Sequence, residues 1–235
     1  MELPDIVVPV REGAHNEQLR YALRSWAAHL PHRHVWIVGY RPWWAAGTRH
    51  IPTDQRTTPA YVNTTTAMRA ACEHPDVSDP FLYANDDFFV MAPQPSPFPV
   101  LHRGPVREVF AQYGTRSSAY VAAMRETHAF LVGLGYEDPT SFELHVPLPV
   151  HKDGMLRALE AAPGHDVHKR TVYGVLNGVT GLPMRDVKVA RRGPQFDPAS
   201  PFLSTMPDSF TNGAVGRFIR EQFPDPCPYE KRGRR

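Results

Sequence analysis

The apolar positions of the first ninety residues follow two periods in turn. Ile6-Val7-Val8-Pro9-Val10 is a short continuous apolar run, the pattern of a buried strand. After a polar loop, Asn16 is a candidate helix cap, and Leu19, Ala22, Leu23, Trp26, Ala27 and Leu30 recur at helical spacing until Pro31 stops them. Val35-Trp36-Ile37-Val38-Gly39 reads as a second strand, Thr64 to Glu73 as a helix, and Phe81-Leu82-Tyr83-Ala84 as a third strand. Strand, helix, strand, helix, strand predicts a parallel sheet, whose ligand crevice lies beyond the carboxyl ends of its strands.

The third strand runs into Asn85-Asp86-Asp87 and then turns apolar again at Phe88-Phe89-Val90. Burying Phe81, Leu82 and Tyr83 stabilises the fold, but two adjacent carboxylates at the end of a buried strand do not. A hard divalent ion such as Mg2+ or Mn2+, shared with the phosphates of a ligand, suits such a pair. The structural alternative is a capped turn in which Asn85 and Asp86 bond nearby backbone amides.

Prolines interrupt every element between Ala92 and Pro105, which marks 92–105 as a loop between two parts of one domain. Beyond it, Ser117 to Leu134 reads as a helix. Ser141 to Val150 alternates, with Phe142, Leu144, Val146 and Leu148 on one side and Glu143 and His145 on the other. Lys152 to Ala161 and Lys169 to Gly178 read as helices, Met184 to Ala190 as a strand, and Asn212 to Phe223 as a last helix. The division expected is 1–91 as an α/β half, 106–223 as a second half, and 224–235 as a basic tail.

Composition narrows the classes. With 235 residues and 42% hydrophobic content the chain can bury a real core, and a formal charge of +2 is too small for a nucleic-acid coat protein. Cys72 and Cys227 stand far apart, so neither a disulfide framework nor a Cys-based zinc site is expected. No apolar stretch approaches membrane-spanning length and no signal segment opens the chain, which predicts a cytoplasmic protein without membrane insertion.

Several segments together resemble the Stealth family, which includes capsule hexose-1-phosphate transferases and N-acetylglucosamine-1-phosphotransferase. Glu17 to Ser25 looks like the family's "ELRYSLRS" segment, Val35 to Trp43 its "IVTD…PKW" strand and turn, and Tyr83 to Phe89 its "YFNDDMFF". Asn63 falls where the family carries an asparagine, His145 to Pro149 resembles "HAPYP", Arg170 falls near a family arginine, and Phe202 to Asp208 is similar to a late "FFCLND". The compact format also looks like that of glycosyltransferases encoded by actinobacterial phages, which would place the protein in the host cytoplasm. The family's opening "DVVYTWVDGSD" is represented only by Asp5-Ile6-Val7-Val8. That departure leaves open whether a sugar or a sugar-1-phosphate is moved.

The resemblance implies a mostly parallel α/β fold of GT-A or Rossmann type, with helices on both faces and a smaller C-terminal α+β portion. It implies a nucleotide-sugar donor, an acceptor hydroxyl on a glycan, a protein or a modified DNA base, and Mg2+ or Mn2+ as cofactor. It also implies nucleotide-sugar binding for the half 1–91 and the acceptor and catalytic part for the half 106–223. Asp86 and Asp87 are then the metal carboxylates, with Asp87 also catalytic. Arg20, Arg24, Asn63, Asn85 and Asp208 are donor-binding residues, and Arg170 is a further phosphate clamp. Arg20 and Arg24 lie four apart on one helix flank, although each arginine taken by itself is an ordinary surface salt bridge. An acceptor hydroxyl needs a base, and His145 fits that role, with His151 in reserve. His29, His32 and His34, split by Pro31, read as exposed loop, and His165 and His168 receive the same reading. Rival classes are a metal-dependent phosphohydrolase or nuclease built on the same carboxylates, and a nucleic-acid or glycan binding module using the basic tail, Arg191-Arg192 and Trp43-Trp44.

Overall fold

A computed structural model of the chain describes residues 2–55, 60–164 and 166–231. The elements are β1 (Asp5–Val10), α1 (Glu17–His29), β2 (Val35–Gly39), β3 (Arg49–Ile51), α2 (Ala60–Glu73), β4 (Phe81–Tyr83), β5 (Phe88–Val90), β6 (Leu101–His102), α3 (Val106–Ala111), α4 (Ala119–Gly133), β7 (Leu148–Val150), α5 (Lys152–Ala161), α6 (Lys169–Leu176), β8 (Leu182–Pro183), β9 (Lys188–Val189), β10 (Phe202–Thr205), α7 (Pro207–Asn212) and α8 (Ala214–Gln222).

The central sheet has the order β3-β2-β1-β4-β7. Its first four strands are parallel, and β7 runs antiparallel to β4. Helices flank both faces, so this is the mostly parallel α/β sheet the hydrophobic runs predict. Successive strand residues point to opposite faces. Ile6, Val8, Val10, Val35 and Ile37 therefore pack with Leu19, Leu23 and Trp26 of α1. Val7, Trp36, Val38, Phe81 and Tyr83 pack on the other face with Met68 of α2, Met155 of α5 and Val172 of α6. Smaller sheets, β5-β10-β9 and β6-β8, extend the first face and the second half of the chain.

The chain crosses from β3 on one side of β1 to β4 on the other, so β1 and β4 flank the point where strand order reverses. Open α/β sheets bind ligands at that point, beyond the carboxyl ends of the strands. Strand direction decides which residues reach it. Leu148 pairs with Tyr83 at the carboxyl end of β4, whereas Val150 pairs with Phe81 at its amino end. The segment preceding β7 therefore lies at the site edge, and residues after β7 emerge at the opposite one.

Several expectations need correction. The helix expected from Thr64 starts at Ala60, and β3 and α3 were not foreseen. The expected last helix is two, α7 and α8, separated by Gly213, and Met184 to Ala190 forms a ladder only at β9. Of the alternating segment Ser141 to Val150 only β7 is a strand, although Phe142, Leu144 and Val146 are buried as the alternation requires. Ser141 exchanges backbone bonds with Arg103 and Gly104 just past β6, both at 2.8 Å, but among the described residues no strand forms a ladder with 142–146. Instead Thr171 accepts from the Phe142 amide at 3.1 Å, and Arg170 donates to the carbonyls of Leu144 and Val146, both at 2.6 Å. Side chains of α6 supply the hydrogen bonds a ladder would have made.

Candidate active site

β4 delivers Asn85, Asp86 and Asp87 to the carboxyl edge of the sheet, where the Phe88 amide bonds the Asn85 carbonyl at 3.2 Å and closes a turn. Past the turn, β5 is anchored by α1. The Trp26 indole donates to the Phe88 carbonyl at 2.9 Å, and the Ser25 hydroxyl accepts from the Val90 amide at 3.0 Å. The two carboxylates thus sit between two anchored strands.

Their environment lacks enough positive partners. Lys188 at the start of β9 donates its ammonium to Asp87 Oδ2, in a pair whose side chains are 18% and 17% exposed. Among the described residues Asp87 Oδ1 is buried without a hydrogen-bond partner. Burial and then the charge of Asp87 raise the Asp86 carboxyl to about 7, only partly countered by Lys188 and by Arg11 beyond the end of β1. A buried carboxylate oxygen without a donor is costly, and a cation brought in by a ligand relieves that cost. Among the described residues no group of three or more His, Cys, Asp and Glu could hold a metal ion. A divalent ion here would use Asp86 and Asp87 and take its remaining oxygens from a ligand or water.

Beyond the carboxyl ends of β1, β2 and β3 lies a cavity of about 590 Å³ lined by Arg11, Glu12, Tyr40, Arg41, His50 and Asp54 among others. Gly39 is required there. Its φ is 106°, and a Cβ would lie 2.2 Å from the Gln55 amide nitrogen and 2.6 Å from the Val10 carbonyl oxygen. Asn63, buried on α2, donates to the Gln55 carbonyl at 3.2 Å and so braces this wall from behind.

His145 stands at the same edge. Its Nδ1 lies 2.8 and 3.0 Å from the two oxygens of Asp186, its ring meets Phe88 edge-on at 5.8 Å, and its side chain is 22% exposed. Burial opposes a charge on Asp186, but hydrogen bonding and charge from His145, with Arg103, outweigh it and hold that carboxyl below its ordinary value. An ionised carboxylate only accepts, so Nδ1 is the donor to Asp186, and Nε2 is the ring nitrogen not engaged by that carboxylate. Asp186 also lines a second cavity of about 620 Å³ with Arg103, Gln112, Met184 and Arg185.

Sequence reasoning missed Asp186 and Lys188. Both stand on one extended segment, two residues apart and hence on the same side, one bonded to His145 and the other to Asp87. That segment ties the histidine to the carboxylate pair. Its signal was in the chain, since Asp186 and Lys188 interleave with Val187 and Val189, which pack against the core.

The arginines are placed differently from expectation. Arg24 is buried, with Nε and Nη2 on Glu230 at 2.6 and 2.9 Å and Nη1 on the carbonyls of Phe223 and Pro224 at 2.9 Å, so it anchors the chain's end and is not a phosphate clamp. Arg170 donates to the Leu144 and Val146 carbonyls and stacks near Tyr83 and Phe88 at 5.6 and 5.5 Å, which frames His145, and it lines a cavity of about 180 Å³ with Tyr83, Glu143 and Lys169. Arg20 lies over Trp44 at 4.7 Å and pairs with Glu17 at 3.2 Å. Asp208 is exposed and held by Arg192 at 2.7 and 2.8 Å. His151 is 69% exposed, pairs with Asp79 at 3.1 Å and comes after β7 at the far edge, which removes it as reserve base. His32 and His34 bond Tyr229 and Arg49 separately, His168 is buried against Tyr120, and His165 lies outside the described residues. Trp43 is exposed but Trp44 is buried and donates to the His15 carbonyl, so no paired aromatic platform exists, and 232–235 of the basic tail lie outside the described residues.

No family model and no curated protein matches the chain. The crystal structure of the glycosyltransferase GlyE of Streptococcus pneumoniae TIGR4 is similar over 95% of this chain, at 10% sequence identity and a TM-score of 0.42. The chain spans 50% of that structure's length. Among the described residues no helix is long and apolar enough to cross a membrane.

Proposed function

We propose that the chain is a metal-dependent transferase that moves a sugar, or a sugar-1-phosphate, from a nucleotide-sugar donor to an acceptor hydroxyl. The observation that carries this reading is the meeting, at one sheet edge, of an under-neutralised carboxylate pair and a carboxylate-oriented histidine, joined by the segment bearing Asp186 and Lys188. The resemblance of Tyr83 to Phe89 to the Stealth "NDD" segment points the same way. The 590 Å³ cavity beside Arg11 has the volume of a small-molecule site and takes the nucleotide.

Asp86 and Asp87 would hold a divalent ion, which would supply Lewis-acid neutralisation of charge on the donor's diphosphate. Arg11, beyond β1, adds positive charge at the same edge. His145 Nε2 takes the proton of the acceptor hydroxyl, and Asp186 keeps the ring in the tautomer and orientation for that transfer while stabilising the imidazolium that forms. Arg170 pins the carbonyls on either side of His145 and so fixes the height of its ring over Phe88. The acceptor approaches through the groove lined by Arg103, Gln112 and Arg185.

The test is a screen of nucleotide sugars for thermal stabilisation with and without Mn2+. Because a ligand that binds only the folded state raises its melting temperature, the reading requires a donor-specific shift that depends on the metal. Stabilisation by single-stranded nucleic acid without nucleotide-sugar binding would contradict it, as would release of product to water with no sugar acceptor consumed.

A further inference from the structure

Neither oxygen of Asp87 is open to a metal ion. Oδ2 is covered by the Lys188 ammonium and Oδ1 is buried. We infer that Lys188 is an exchange ligand, holding Asp87 while the site is empty of donor and moving onto the donor's diphosphate when a divalent ion takes Asp87. The inference rests on the metal-dependent transferase reading and adds the order in which its parts assemble.

Like charges decide the matter. With an ammonium and a divalent cation on one carboxylate oxygen of a poorly solvated site, their mutual repulsion at about 4 Å exceeds what the ammonium gains from that oxygen but not what the ion gains, so the ammonium is the one displaced. Displaced alone, Lys188 would be left without its carboxylate, with a side chain only 18% exposed. A diphosphate arriving with the ion gives it a new anion within reach. A lysine suits this exchange, since its ammonium is a point charge on a flexible four-carbon stem, whereas a guanidinium would lock bidentately onto Asp87. The position of Lys188 at the first residue of β9 leaves the strand's ladder intact while the side chain swings: the β10 to β9 pairing runs through backbone at Ser204 and Thr205. Ion and donor therefore bind with positive coupling, each removing the cost the other meets. By linkage the coupling is reciprocal, and it has the usual allosteric size of about 5–150-fold.

The experiment measures Mn2+ binding from the free-ion electron paramagnetic resonance signal, for the full chain and its variants, with Mn2+ alone and with inorganic pyrophosphate added, corrected for the ion's binding to pyrophosphate in solution. Lys188→Met, which keeps the stem and removes the charge, should bind Mn2+ alone about tenfold more tightly than the unaltered protein. The tightening produced by pyrophosphate in the unaltered protein should largely vanish in that variant. Lys188→Arg gives the opposite result, weaker Mn2+ binding alone, and serves if the Met variant does not fold. Equal Mn2+ affinities in all three proteins, with the pyrophosphate effect intact, would overturn the exchange while leaving the metal reading standing. Absence of Mn2+ binding in every protein, with and without pyrophosphate, would overturn the metal reading and the exchange with it.

Discussion

Asp5 and Asp86 stand at opposite ends of adjacent strands, and their surroundings differ in every respect that matters to a carboxylate. Asp5 opens β1 and is fully buried. It accepts from Arg33 twice at 2.9 Å, from the Trp36 indole at 2.8 Å, and from the amides of Ser78 and His34 at 2.9 and 3.1 Å. Burial alone would raise its pKa, but these bonds outweigh it and leave the carboxyl below its ordinary value. Asp86, beyond β4, is raised instead, by burial and by Asp87, and its neighbour keeps an oxygen without a partner. The first carboxylate is a finished structural joint between β1, β2 and the turn at Ser78. The second is left short of positive partners, and the fold bears that cost at the carboxyl edge of the sheet.

The comparison breaks most sharply under paired substitution. Asp5→Ala should lower unfolding free energy by about 3–5 kcal/mol, since it strips a buried ion pair and several amides of their acceptor, yet leave the turnover of molecules still folded unchanged. Asp87→Asn should do the reverse. Stability measured by denaturant titration should hold, while metal-dependent turnover falls about a thousandfold, the loss of several kcal/mol of charge stabilisation. A collapse of the fold on Asp87→Asn, with Asp5→Ala tolerated, would invert the assignment of the two centres.

Smaller effects separate the parts of the site itself. His145→Ala should lower kcat about a hundredfold with donor affinity nearly unchanged, and Asp186→Asn about tenfold with an altered pH profile, because it orients the base without touching the acceptor. Loss of donor affinity in His145→Ala would make that residue a donor ligand. The smallest difference is in stability against pH. The folded chain holds the Asp86 proton between its ordinary value of 3.8 and about 7, where the unfolded chain releases it, so Asp86 makes stability fall as pH rises through that window. Asp5 acts oppositely, its contribution being full above the ordinary carboxylate value and lost as pH drops through its lowered folded value. Asp86→Asn should therefore gain at least about 1 kcal/mol over the unaltered protein at pH 8 and nothing at pH 4, without metal.

Range along the chain decides which parts were legible in the sequence. β1, α1, β2 and β4 could be read because each is decided by its own hydrophobic period. The burial of Phe142, Leu144 and Val146 was legible for the same reason. Their lack of a ladder was not, because the bonds come from Arg170 and Thr171, more than twenty residues on. Arg24 looked available beside Arg20 since nothing local shows that Glu230 closes on it from the other end of the chain. Lys188 and Asp186 escaped notice because their partners, Asp87 and His145, are set by tertiary pairing of β9 and β10, while the i, i+2 spacing alone marks many exposed strands. The acid pair was the most legible feature because its disadvantage to folding is local.

Everything proposed for the site rests on Asp86 and Asp87 holding a donor diphosphate through a divalent ion. Diffraction from a crystal soaked with Mn2+ and a nucleotide sugar, collected at the manganese edge, tests that directly. The account requires an anomalous peak about 2.0–2.3 Å from a carboxylate oxygen of Asp86 or Asp87 and bonded to the diphosphate, with the Lys188 ammonium moved from Asp87 to a phosphate oxygen. A diphosphate bound elsewhere, or bound at this edge with no manganese and Lys188 still on Asp87, would contradict it.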